Sequence, residues 1–133
     1  MILHPQLQHD TIILGAWPLS LVLLMPDAHY PWLILVPQRE HIHDIDELSE
    51  ADQYQLTQES CLLTRTMKSL FHPDKINIAA LGNIVPQLHL HHIARFHNDA
   101  AWPDPVWGAV PKKAYEPEAL EELITTLKKA LFA

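Results

Sequence analysis

Gln87, His89 and His91 stand at alternate positions in Gln87-Leu88-His89-Leu90-His91-His92-Ile93. In a β-strand successive side chains point to opposite faces, so this spacing puts the carboxamide and both imidazoles on one face. Leu88 and Leu90 then point the other way, into a core. Near neutral pH an imidazole is a nucleophile, a proton carrier or a metal ligand. A rigid strand supplies the fixed geometry that each of these needs. Alternation alone is also the mark of an ordinary polar sheet face. His-x-His sets two metal ligands side by side, but such a site needs further ligands and Gln87 is a poor one.

The elements that must carry these groups are legible on both sides of them. Residues 1–16 read as an N-terminal arm or short turns ending in a strand at Thr11–Leu14. Leu19–Met25 is an apolar run of strand length, Pro26–Pro31 a turn, and Trp32–Val36 a second strand, which together read as an antiparallel hairpin. Ser49-Glu50-Ala51-Asp52 has the hydroxyl and acids of a helix start. Leu56, Ser60, Leu63, Met67, Leu70 and Phe71 recur at helical spacing, and Pro73 ends the helix near His72. Lys75–Ala80 and Gln87–Ala94 read as strands around a Gly82-Asn83 turn. Asp99–Gly108 is irregular. Glu116–Phe132 is an amphipathic helix with Leu120, Leu123, Ile124, Leu127 and Leu131 as its stripe. The order strands, helix, strands, helix implies an α+β fold.

Composition narrows the function. The 133 residues suit one domain, 1–133, and 48% apolar residues suffice for a core. With 16 acidic and 9 basic residues the net charge is -7, which argues against a nucleic-acid-binding surface. A nucleotide as small ligand remains compatible, since phosphates can be held by backbone N–H groups. The single cysteine, Cys61, rules out an internal disulfide and a Cys-rich zinc site and fits a reducing compartment. The N-terminus lacks the order of a signal peptide, and no apolar run spans a bilayer. The expectation is a cytoplasmic protein without membrane partners.

At this point the chain resembles the histidine-triad (HIT) superfamily of nucleotide hydrolases and transferases, whose motif is His-φ-His-φ-His-φ-φ with φ apolar. Gly82-Asn83 leads into Gln87-Leu88-His89-Leu90-His91-His92-Ile93 as the family's turn leads into its motif. Trp32-Leu33-Ile34-Leu35-Val36-Pro37 followed by His41-Ile42 is similar to the family's upstream strand, and the helix from Ser49 sits where the family has its long helix. The likeness runs from Leu21 to Ile93. It implies an antiparallel sheet of about five strands with two main helices. It also implies a homodimer.

By that resemblance His89 is the nucleophile, His91 binds the phosphate and its developing charge, Asn83 is the turn amide near the phosphate or leaving group, and Asp27 matches the ribose-binding acid at a different spacing. Gln87 replaces the first histidine of the triad; it can hold its neighbours by hydrogen bonds but cannot carry a proton. Trp32 stands where family members often carry an upstream histidine. The implied function is hydrolysis or transfer at an α-phosphate through a nucleotidyl-histidine intermediate, with dinucleoside polyphosphates or nucleoside phosphoramidates as substrates. No cofactor is required, although Mg²⁺ can accompany a polyphosphate. The rivals are a non-catalytic nucleotide-binding module and a His-based metalloprotein.

The remaining residues have plainer readings. His92 faces away from His89 and reads as a satisfied buried histidine, with an interface residue as the lesser reading. His41 and His43 are hydrogen-bonded loop residues, and His4, His9, His29, His72 and His97 are surface or capping residues. Trp32 is core or pocket wall, and Cys61 an inert thiol. Trp102 and Trp107 pack the irregular segment, with stacking on a nucleotide as the lesser reading.

Overall fold

A computed structural model describes residues 1–133. The chain forms α1 (Pro5–Asp10), β1 (Ile12–Ala16), β2 (Ser20–Leu24), β3 (Trp32–Pro37), α2 (Glu50–Phe71), β4 (Lys75–Ala79), β5 (Leu90–Arg95) and α3 (Pro117–Phe132). The strands make one antiparallel sheet in the order β1-β2-β3-β5-β4. This is the HIT-like α+β fold. β3 is central and buried along its whole length, which is why it reads as an unbroken apolar run.

The two faces of the sheet are covered differently. Leu33 and Leu35 of β3 and Leu90 and Ala94 of β5 pack with Leu56, Leu63 and Met67 of α2 and Leu127 of α3. Trp32, Ile34 and Val36 and Ile93 form the opposite face, covered by Leu3 and Leu7 of the N-terminal segment and by Val85, Ala101 and Val106 of irregular chain. The two long helices, α2 and α3, therefore occupy one face, and the other is left to α1 and to loops that can shape a cleft.

Local sequence explains the element ends. Ser49 caps α2 by accepting from the Asp52 N–H at 3.1 Å, with Glu50 and Asp52 in the first turn. The helix closes at His72, in the left-handed region (φ 50°), just before Pro73. Buried Glu59 of α2 accepts from the N–H groups of Leu19 and Ser20, at 2.9 and 3.0 Å, and so fixes the start of β2. Gly15 follows a register shift in β1, and a Cβ there would lie 2.8 Å from the Phe132 ring, so a larger residue would have to push that ring aside.

Two expectations are corrected. Part of the supposed arm is a helix, α1, with Pro5 in its first turn and the His4 ring accepting from the Gln6 N–H at 3.0 Å. Its six residues are too few to show a periodicity. The strand expected from Gln87 begins at Leu90, because the chain before it bonds elsewhere: the Leu88 N–H donates to the Ile42 carbonyl at 2.9 Å. No helix is long and apolar enough to cross a membrane.

Candidate active site

β5 sets the parity of the motif. His92 pairs with Leu33 and Ile78, His91 with Ile34 and Ala79, so successive rings go to opposite faces. His89 and His91 lie together on the loop-covered face, ring centroids 4.8 Å apart. Leu88 and Leu90 pack into the helix-side core, as the alternation requires. His92 is fully buried on that side, bonded through Nδ1 to the Leu90 carbonyl at 3.0 Å and through Nε2 to Ser60 Oγ at 2.7 Å. It is a satisfied core histidine, and burial lowers its pKa to about 4.

Each ring on the cleft side has a defined tautomer. The Nδ1 of His89 is 2.7 Å from the Gln87 carbonyl. A carbonyl only accepts, so Nδ1 carries the hydrogen and Nε2 of the neutral ring keeps its lone pair. The Nδ1 of His91 receives the indole N–H of Trp32 at 3.0 Å. An indole N–H only donates, so the hydrogen of neutral His91 sits on Nε2. The two rings thus offer one free lone pair and one N–H donor side by side. Burial, followed by the neighbouring His89 and His92, holds the pKa of His91 down at about 3.

These rings open on a cleft of about 450 Å³. Its walls include Leu7 and Asp10 of α1, Met25, Asn83 and Ile84 of the Gly82 turn, and Trp107. Gly82 has φ 76°, a conformation glycine adopts freely, and this turn delivers Asn83 to the wall. The volume is that of a small-molecule site with an apolar lining and a few polar groups. His89 also borders a smaller hollow of about 210 Å³, lined by His43, Asp44 and Asp46 among others. No lysine or arginine lines either space, whereas Asp10, Asp44 and Asp46 do.

The structure brings His89, His91 and Asn83 together at the cleft, leaves Gln87 beside His89 at the smaller hollow, and sets Asp27 apart. The side chain of Gln87 is turned to the N-terminal segment: Oε1 accepts from the His4 N–H at 2.8 Å and Nε2 donates to the Ile2 carbonyl at 3.1 Å. Only its main-chain carbonyl reaches His89. Asp27 lines neither space; its Oδ1 accepts from the N–H groups of His29 at 3.0 Å and Lys113 at 3.3 Å, tying its loop to the chain just before α3. Trp107 walls the cleft with its ring 5.0 Å from that of His91, while Trp102 packs against His97 and Arg95. The contribution of Trp32 and the α1 wall were not visible in the sequence, because both depend on partners far along the chain.

Known proteins agree with this architecture. The HIT domain family matches residues 6–98. The chain belongs to the HIT family. Members of the family are generally nucleotide-binding hydrolases and transferases. The chain is 46% identical to a histidine triad protein of Bradyrhizobium japonicum, over 98% of both chains with a TM-score of 0.95. It is 48% identical to one from Marinobacter aquaeolei VT8, over 98% of this HIT chain and 95% of that one, with a TM-score of 0.94. A histidine triad protein of Sinorhizobium meliloti 1021 is 42% identical, with 98% and 96% covered and a TM-score of 0.93. No curated protein matches the chain significantly. No group of three or more His, Cys, Asp or Glu side chains in this HIT protein is placed to hold a metal ion.

Proposed function

We propose that this HIT protein cleaves a nucleotide substrate at its α-phosphate through a covalent nucleotidyl-His89 intermediate. The observation that carries the reading is the Nδ1–H bond of His89 to the Gln87 carbonyl, which leaves the Nε2 lone pair free beside the Nε2–H of His91 at a cleft of nucleotide size. In the first step a bond forms between Nε2 and phosphorus while the bond from phosphorus to the leaving group breaks, its electrons going to the leaving group, which takes a proton from solvent. In the second, water or another acceptor attacks the same phosphorus, gives up a proton to solvent, and the Nε2–P bond breaks, its electrons returning to His89. Negative charge spread over the phosphate oxygens is met by the Nε2–H of His91 and the amide of Asn83.

The charge of the lining favours one substrate class. A polyphosphate leaving group beside Asp44 and Asp46, with no lysine or arginine in either space, would be repelled; an amine would not. Nucleoside phosphoramidates therefore suit the site better than dinucleoside polyphosphates. We also expect a homodimer, for which the unpaired edge of β4, with Ile78 48% exposed, is a supporting surface.

The test uses both substrate classes with purified protein and a His89→Ala variant. Expected are turnover of the phosphoramidate, a rapidly quenched protein heavier by one nucleotide on the peptide bearing His89, and loss of both in the variant. Tight nucleotide binding with no turnover would favour the non-catalytic module instead.

A further inference from the structure

Trp32 lies outside the residues that the motif marks for chemistry, yet its indole N–H is spent on one of them. The Nε1–Nδ1 bond to His91, 3.0 Å long, is buried, and the two rings meet edge to face at 5.7 Å. Trp107 stands against both, 5.8 Å from Trp32 and 5.0 Å from His91, so neither ring can swing away without displacing it. An indole N–H has no lone pair to offer in return. A second hydrogen on His91, at Nδ1, would face that N–H donor to donor in a space closed to water.

We propose that Trp32 is a positioning residue that locks His91 in its Nε2–H tautomer, so that His91 faces the cleft as a permanently neutral hydrogen-bond donor. What the donor is aimed at rests on the nucleotidyl-histidine reading; the lock itself does not. His91 then stabilises charge on the phosphate oxygens and takes no part in proton transfer, since losing Nε2–H would leave an imidazolate and gaining a hydrogen at Nδ1 is blocked. The titratable groups that face His91 are His89 beside it and Asp10 of α1 across the cleft, with His92 next to it in β5 but turned to the other face. The neighbouring strands present Ile34 and Ala79, and the loop Trp107, none of which titrates in this range. Burial and the two histidines already disfavour the imidazolium, and the Trp32 bond adds a direction: it chooses which nitrogen carries the hydrogen.

Two-bond ¹⁵N–¹H spectra of histidine-labelled protein, with His91 assigned through a His91→Asn variant, read the tautomer directly in ligand-free protein. Expected are a pyridine-type Nδ1 and a pyrrole-type Nε2 for His91, unchanged from about pH 8 to about pH 5, where an ordinary histidine titrates. In Trp32→Phe, which keeps an aromatic ring but no donor, His91 should populate both tautomers while burial keeps it neutral across that window. The kcat of this variant should fall by about two- to tenfold, the worth of one ordinary hydrogen bond, with KM little changed. A hydrogen on Nδ1 in the parent protein, or a Trp32→Phe spectrum identical to the parent, overturns the lock whatever the activity. The expected spectra together with no turnover of any nucleotide by the parent would leave the lock standing and sink the nucleotidyl reading instead.

Discussion

Gln87 and His4 are joined across 83 positions of sequence, the main-chain N–H of His4 donating to Gln87 Oε1 at 2.8 Å. With the Nε2 bond to the Ile2 carbonyl, this fastens the N-terminal segment beside the motif, and that segment continues into α1, a wall of the cleft. The first position of the triad is thus used for attachment. Gln87→Ala keeps the main-chain carbonyl that orients His89 but releases the segment. We expect KM to rise more than kcat falls, and stability to drop by about 1–2 kcal/mol. Hydrogen exchange over residues 2–10 together with steady-state kinetics checks this; a loss confined to kcat would show Gln87 acting on the reaction itself.

Ser60 and His92 give a prediction about stability alone. The Nδ1 of His92 donates to the Leu90 carbonyl, so its Nε2 must accept from the Ser60 hydroxyl. Ser60→Ala leaves that buried acceptor unpaired, at a cost of about 1–3 kcal/mol. Urea denaturation should show the loss, while kcat/KM of the folded variant stays at the parent value because His92 lies on the opposite face from the cleft. A change below about 0.5 kcal/mol would mean that water reaches Nε2.

Acid should weaken the fold through the same histidines. In the folded chain the pKa of His91 is lowered to about 3 and that of His92 to about 4, against 6.5 for an ordinary histidine. The unfolded chain therefore binds more protons as pH falls below about 6.5. The stability due to their neutral forms is fully present above that pH and is lost progressively as pH falls towards 4 and then 3. Each histidine contributes a slope of up to about 1.4 kcal/mol per pH unit. Urea midpoints taken from about pH 7 to about pH 4.5 should fall steeply, and a flat profile would contradict the burial of these rings as neutral groups.

Arg95 and Asp99 hold the irregular segment that ends at Trp107. Their side chains are each 2% exposed and meet in a two-pronged pair at 2.8 and 3.1 Å. Asp99 also accepts from the N–H groups of Phe96, Ala101 and Trp102, and Arg95 donates to Asn77 and to the Asp104 carbonyl. Burial pushes the Asp99 carboxyl up, but the Arg95 bond and those N–H groups together bring it well below the usual carboxylate range. Asp99→Ala leaves a buried guanidinium without its counter-charge and should cost about 3–5 kcal/mol. Thermal unfolding measures that, and the cleft should bind nucleotide more weakly as Trp107 loses its support.

The alternation from Leu88 to Ile93 alone determined which rings share a face, because the period of a strand is a local property that each residue enforces on the next. The caps at Ser49 and His72, the stripe of α3 and the unbroken run of β3 were legible for the same reason. Which distant donor meets which acceptor was not. The family resemblance set Gln87 among the catalytic side chains and Asp27 at a ribose; the fold turns the first to His4 and the second to His29 and Lys113. It also sets the Trp32 indole on His91 across 59 positions and makes a wall of a six-residue helix. Local rules govern dihedral angles and periodicity. Hydrogen bonds between segments far apart in the chain exist only once the sheet has brought those segments together, so only the tertiary structure could decide them.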